Sequence, residues 1–155
     1  MYIKLMILFC LNVNPDRIYF TKDNLNYPDA MILAGIAEHE CLNLSWQERH
    51  LVMEAVWNRV VDNFNNNGCT IQEQLLAPKQ FTGLFTLRPY HFYFDKHNTR
   101  HIENLYMALC VINGHRLSNR CIYYWTDNTN KNCKHYKYVR RKAIKLPYPT
   151  VQLFR

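Results

Sequence analysis

The chain is short of glycine, with four in 155 residues, and this leaves no room for a glycine-rich phosphate-binding loop. Its six cysteines (Cys10, Cys41, Cys69, Cys110, Cys121, Cys133) contain no Cys-x-x-Cys pair, so zinc-ribbon spacing is absent. The even number permits three disulfides without requiring them, and free thiols are the expectation. No apolar run approaches the ~20 residues that a membrane-spanning helix needs. The longest, Met1 to Leu11, is interrupted by Lys4. It has the length of a signal-peptide core, but a buried strand or a contact with a partner subunit is the expected use. Acidic residues run out early, since Asp127 is the only one after Glu103.

What is present describes one globular domain. Hydrophobic residues make up 48% and charged residues 20%, a balance that permits a packed core and argues against disorder. The net charge is +7, and seven lysines and arginines fall between Lys131 and Lys145, interleaved with Tyr136 and Tyr138. Such a stretch attracts polyanions, whether cell wall, anionic membrane or nucleic acid. Nucleic acid is the weakest of these expectations. Aromatic residues are 14% of the chain, which suits a cleft that stacks ligand rings as well as it suits a core.

The pattern along the chain predicts a mainly α fold with a minor β element. Residues 12–27 read as irregular. Pro28 opens a helix running to about Glu40. Ser45-Trp46-Gln47-Glu48 is a capping box that starts a second helix, with Leu51, Val52, Ala55, Val56 and Val60 as its apolar stripe, and Asn65-Asn66-Asn67-Gly68 turns the chain after it. Thr70-Ile71-Gln72-Glu73 is a second capping box, opening a short helix that Pro78 stops. Residues 81–98 are aromatic and irregular by pattern. A fourth helix spans Thr99 to Ile112, with Ile102, Leu105, Tyr106, Leu109 and Ile112 on one face and Gly114 as its stop. Cys121 to Thr126 is β-prone. The remainder reads as loops with at most short structure.

Glu40 is the residue that points to chemistry. A carboxyl at a helix end, set against an apolar second helix, stays protonated near neutral pH and acts as a general acid. Glu38 lies about 200° around the helix and serves another face. Glu48 and Glu73 are explained by capping, and Glu54 is expected to be solvated. His97 and His101, at i and i+4, lack a third ligand and read as solvated, so no metal and no cofactor are expected. Asn58 is expected to be a buried amide that satisfies loop backbone, and Arg59 a surface or structural ion-pair residue.

The stretch from Leu33 to Val60 resembles the cell wall hydrolase family that includes the spore cortex-lytic enzymes. That family carries Leu-Ala…Ala-x-Glu, a short loop, and an Ala/Val-rich helix closing in Asn-Arg-Val. The spacing from Glu40 to Asn58-Arg59-Val60 matches without a gap. Gln80-Phe81-Thr82 resembles the family's Gln-Phe-Ser, and Ala108 to Gly114 followed by Ile122-Tyr123-Tyr124-Trp125 resembles its later helix and strand. Where the family has Gly and then Glu after the catalytic residue, this chain has Asn43 and Leu44.

The resemblance implies a lysozyme-like catalytic core over 28–126, between an N-terminal extension (1–27) and a basic C-terminal segment (127–155), within one domain, 1–155. It implies cleavage of the β-1,4 bond between N-acetylmuramic acid and N-acetylglucosamine in peptidoglycan, as a lytic transglycosylase or muramidase. Glu40 takes the part of catalytic acid/base, Gln80, Thr82, Tyr123 and Tyr124 hold substrate, and Asn58 supports the site. A compact basic chain of this kind suits a bacteriophage endolysin, in the host cytoplasm before lysis, or a virion-associated lysin with other virion proteins as partners. The alternative is an inactive lysozyme-like structural or wall-binding protein of a virion.

Overall fold

The computed structural model describes residues 2–13, 15–78, 80–81, 92–118, 122–127, 143–144 and 151–154. Among these the protein is mainly helical. Five α-helices, α1 (Tyr2–Val13), α2 (Asp29–Glu40), α3 (Trp46–Val61), α4 (Ile71–Leu76) and α5 (Thr99–Ile112), accompany five short strands. The strands are β1 (Arg17–Phe20), β2 (Phe92–Asp95), β3 (Tyr124–Asp127), β4 (Ala143–Ile144) and β5 (Val151–Phe154).

Helix α2 is the axis of the molecule because its sequence leaves it no polar face until its last turn. Every residue from Ala30 to Ala37 is buried, and a helix apolar all round is stable only when surrounded. It packs on α5 along one side and on β2 along another, with α3 and α4 completing the enclosure. The contact with β2 is close at Gly35. A Cβ there would lie 2.7 Å from Phe92 Cδ2 and 3.0 Å from Phe20 Cε2. Phe20 and Phe92 stack at 4.7 Å over this glycine.

Local chemistry sets the helix ends. Ser45 caps α3 and accepts from Glu48 N, while Glu48 Oε2 accepts from Ser45 N at 3.0 Å. Thr70 and Glu73 repeat the reciprocal arrangement on α4. Asn98 caps α5 by accepting from Arg100 N at 3.0 Å and His101 N at 3.4 Å. Between α3 and α4 the chain turns through Asn63, Asn65 and Asn66, all at positive φ, which asparagine tolerates better than most residues.

The structure revises several sequence expectations. Residues 17–20 and 92–95, both read as irregular, form an antiparallel pair with Arg17 opposite Asp95 and Phe20 opposite Phe92. Their alternating burial sends Ile18, Phe20, Phe92 and Phe94 into the core. Segments 143–144 and 151–154, read as loops with at most short structure, hold short strands, and β3 and β4 both pair antiparallel with β5. The first residues form helix α1 and not a strand. One face of α1 (Ile3, Ile7, Cys10, Leu11) packs on the main core, while Tyr2, Leu5, Leu8 and Phe9 are exposed. Tyr106, grouped by sequence on one face of α5 with Ile102, Leu105, Leu109 and Ile112, is 52% exposed.

Two further corrections concern charge. Glu54, expected in solvent, is fully buried. It accepts from His50 Nδ1 at 3.1 Å, from Ser118 N at 3.3 Å and from Leu117 N, tying the segment after α5 to α3. His101, also expected in solvent, is 1% exposed. Its Nδ1 accepts from Asp95 N at 2.9 Å, which locks the end of β2 onto α5.

Candidate active site around Glu40 and Arg59

Helix α2 stops at Glu40, and Cys41 closes it by donating its N–H to Ala37 O at 3.0 Å. The two carboxylates of the last turn part company here. Glu38 turns inward to α5, accepting from Arg100 Nε at 2.8 Å and Asn104 Nδ2 at 3.0 Å. Arg100 also donates to Cys41 O at 2.8 Å, so the same side chain fixes the helix end and its outgoing loop. Glu38 is thereby committed to structure.

Glu40 points elsewhere. Its side chain reaches solvent, yet protein crowds it enough that desolvation raises its carboxyl pKa above the ordinary value, with the Arg59 charge opposing the rise. A carboxyl that is accessible and also harder to ionise than one in water is suited to giving up a proton to an arriving ligand.

Arg59 is the centre of the constellation, and of the surface or structural ion-pair role expected of it the surface part does not hold, since it is buried. Its Nε donates to Tyr123 O at 2.6 Å, and its Nη1 donates to Gln80 Oε1 at 3.3 Å. The guanidinium carbon lies 5.3 Å from the Phe81 ring centroid and 5.7 Å from that of Phe64. These aromatic faces lower the electrostatic cost of a buried cation. Neighbouring Asn58 is buried and donates Nδ2 to Ile122 O at 2.9 Å. Consecutive residues of α3 thus hold consecutive carbonyls of the segment leading into β3.

Of the sequence-nominated residues, Gln80 and Tyr123 meet at Arg59, whose charge also acts on Glu40. The Tyr123 side chain is already engaged. Its ring stacks on Phe64 at 5.1 Å, and its hydroxyl donates to Asp62 Oδ2 at 2.6 Å. It builds the wall of the site, with its ring and hydroxyl occupied from within. Tyr124 is described only through its backbone in β3, opposite Phe154. Thr82 lies outside the described residues.

Sequence reasoning missed the roles of Arg59, Phe64 and Phe81. The signal for Arg59 was its place inside Asn58-Arg59-Val60, on a helix whose other positions nearby are apolar. Among the described residues no group of three or more His, Cys, Asp or Glu side chains is placed to hold a metal ion. No helix among them is long and apolar enough to cross a membrane. Two sizeable cavities lined by described residues open elsewhere, one beside α1 and one between α3 and α5. No family model, curated protein or solved structure matches the chain.

Proposed function

We propose that the protein cleaves the glycan strands of peptidoglycan at the β-1,4 bond following N-acetylmuramic acid, on a lysozyme-like scaffold, with Glu40 as acid and base. The observation that carries this reading is Glu40 itself, a solvent-reaching carboxyl with a raised pKa at the end of the central helix. The spacing from Glu40 to Asn58-Arg59-Val60 and the convergence of Gln80 and Tyr123 on Arg59 support it. Leu44, which stands where the resembling family has a second carboxylate, packs against the small core of Cys41, Leu51, Val52, Ala55 and Ile122. A one-carboxylate mechanism fits that replacement.

In such a mechanism the protonated Glu40 donates to the glycosidic oxygen as the C1–O bond breaks. Positive charge develops on the muramic acid ring. The Glu40 carboxylate then takes the proton of that sugar's own 6-hydroxyl, whose oxygen bonds to C1 and closes a 1,6-anhydro ring. Acid–base action of this kind contributes roughly 10²–10⁴-fold. Hydrolysis at a retaining or inverting site calls instead for a second carboxylate at a set separation. Arg59 and Gln80 hold the wall against which the sugar is oriented, and Thr82 and Tyr124 are proposed contacts by resemblance alone. Peptidoglycan is the proposed partner, and a phage lysis enzyme or virion lysin the proposed setting.

Zymography on purified peptidoglycan tests this. The parent protein clears the wall and Glu40→Gln does not. Failure of both to clear it favours the alternative, an inactive lysozyme-like structural or wall-binding protein of a virion, which Asn43 and Leu44 in the loop after Glu40 would support.

A further inference from the structure

We infer that His101 is a proton-operated latch: its neutral ring holds the end of β2 on α5, and acid protonation at Nδ1 lets that end go. Strand β2 ends on a backbone N–H that β1 does not satisfy. Lys96 N donates to Asp16 O at 2.9 Å, so those two residues form a hydrogen-bonded pair. The two kinds of pair alternate along an antiparallel ladder, which makes the adjoining Arg17–Asp95 pair the open one. The Asp95 N–H therefore faces away from β1, and it donates to His101 Nδ1 at 2.9 Å. A ring nitrogen that accepts carries no proton, so neutral His101 is the Nε2–H tautomer. The ring is 1% exposed and lies against Tyr93 and Phe94, with centroids 5.0 and 6.0 Å away.

Protonation turns both ring nitrogens into donors. The new Nδ1–H then meets the Asp95 N–H, donor against donor, and a buried amide loses its acceptor. The Asp95 carboxylate offers the ring no compensation, because it already accepts from Arg17 Nε, Arg17 Nη2 and His97 N. Glu38 on α2 is the anion that receives the charge. His101 Nε2 has no hydrogen-bond partner and lies 3.9 Å from Glu38 Oε1, beyond hydrogen-bond reach but close enough to attract an imidazolium. Arg100 and Asn104 hold Glu38 in place, so the charged ring has reason to stay while the strand end leaves. Release is thus local.

The latch is shut at neutral pH. Burial is the largest influence on the ring and holds its pKa below the ordinary value. Glu38 and Asp95 work against that depression, whereas Arg100 on α5 and Arg17 on β1 add to it. The closed form takes up a proton less readily than an opened ring. Its advantage is complete above about pH 6.5 and is lost as pH falls from there.

Hydrogen exchange of the Asp95 amide in the full chain, followed from pH 7 to pH 5, tests this. Its protection, taken against the unfolded rate at each pH, should fall about tenfold per pH unit below about 6.5. Amides in the middle of α2 should remain the better protected, as a local opening requires. His101→Asn places an amide oxygen near the position of Nδ1 without a titrating group, and should abolish the acid slope at Asp95. The ring nitrogen shifts of the parent protein give a second reading, with the proton expected on Nε2 at pH 7. Four results would each overturn the latch: a proton on Nδ1 at pH 7, Asp95 protection that does not change with pH, the same slope in His101→Asn, or Asp95 and α2 amides exchanging with one common protection. None of these outcomes depends on what Glu40 does.

Discussion

Burial and the Arg59 charge act on Glu40 in opposite directions. Desolvation raises the Glu40 pKa and the Arg59 charge pulls it down. In the pH window between the unfolded and the raised folded pKa, the native state holds the proton more tightly than the unfolded chain does. Stability therefore falls as pH rises through that window. Once pH exceeds the unfolded carboxylate pKa this raised pKa makes ionisation of Glu40 a mild liability, and Glu40→Gln should raise the melting temperature there, an effect of about 0.5 kcal/mol after screening by solvent. The difference should vanish well below the unfolded carboxylate pKa, where both proteins are neutral at this position. Thermal melts at pH 7 and pH 3 check this. Equal melting temperatures at pH 7 would show that Glu40 is an ordinary surface carboxylate. Arg59→Met should act in the other direction on chemistry. Loss of the cation lets the Glu40 pKa climb, so the alkaline limb of the wall-clearing profile moves to higher pH in whatever activity survives. The same variant forfeits the bonds to Tyr123 O and Gln80 Oε1 and should cost about 2–4 kcal/mol by denaturant unfolding. An alkaline limb left in place would separate Arg59 from the acid.

At the scale of elements, the contact of α2 with the β1–β2 pair carries the sharpest expectation. A methyl group at Gly35 meets two stacked phenylalanine rings, one at 2.7 Å. Gly35→Ala should therefore destabilise by about 1–3 kcal/mol, although alanine is the better helix former. An unchanged or higher melting temperature would contradict this packing. The helices were legible in the sequence because their signals are local. Capping boxes at Ser45 and Thr70, Pro28 before α2 and Gly114 after α5 mark ends that the structure places within a residue or two. The β1–β2 pair was not, because its four-residue strands pair about 75 positions apart and show too little alternation to stand out, whereas the β-prone run Cys121–Thr126 overlaps β3. Glu54 misled for a related reason. A single apolar stripe was assigned to α3, yet the helix is buried on nearly every side, and the backbone N–H groups that receive Glu54 arrive from more than sixty residues later.

For the molecule as a whole, a buried central helix delivers one acid to the surface and a second helix delivers the cation that tempers it. The sequence alone nominated Glu40 and its distance from Asn58-Arg59-Val60. It did not reveal that Arg59 gathers Gln80 and Tyr123, because that depends on the segments around 80 and 123 folding back onto α3. Nor did it show that the Tyr123 ring and hydroxyl are taken up by Phe64 and Asp62. The basic stretch of 131–145, apart from the backbone of β4, lies outside the described residues. Its proposed part is the attraction of an anionic wall, a long-range effect weakened by salt. Mass spectrometry of the muropeptides released from purified peptidoglycan bears most directly on the chemistry assigned to Glu40. The expected products end in 1,6-anhydro-muramic acid and are absent when Glu40→Gln replaces the parent. Release of the same anhydro ends by Glu40→Gln, or no glycan cleavage by the folded parent protein, would contradict the assignment.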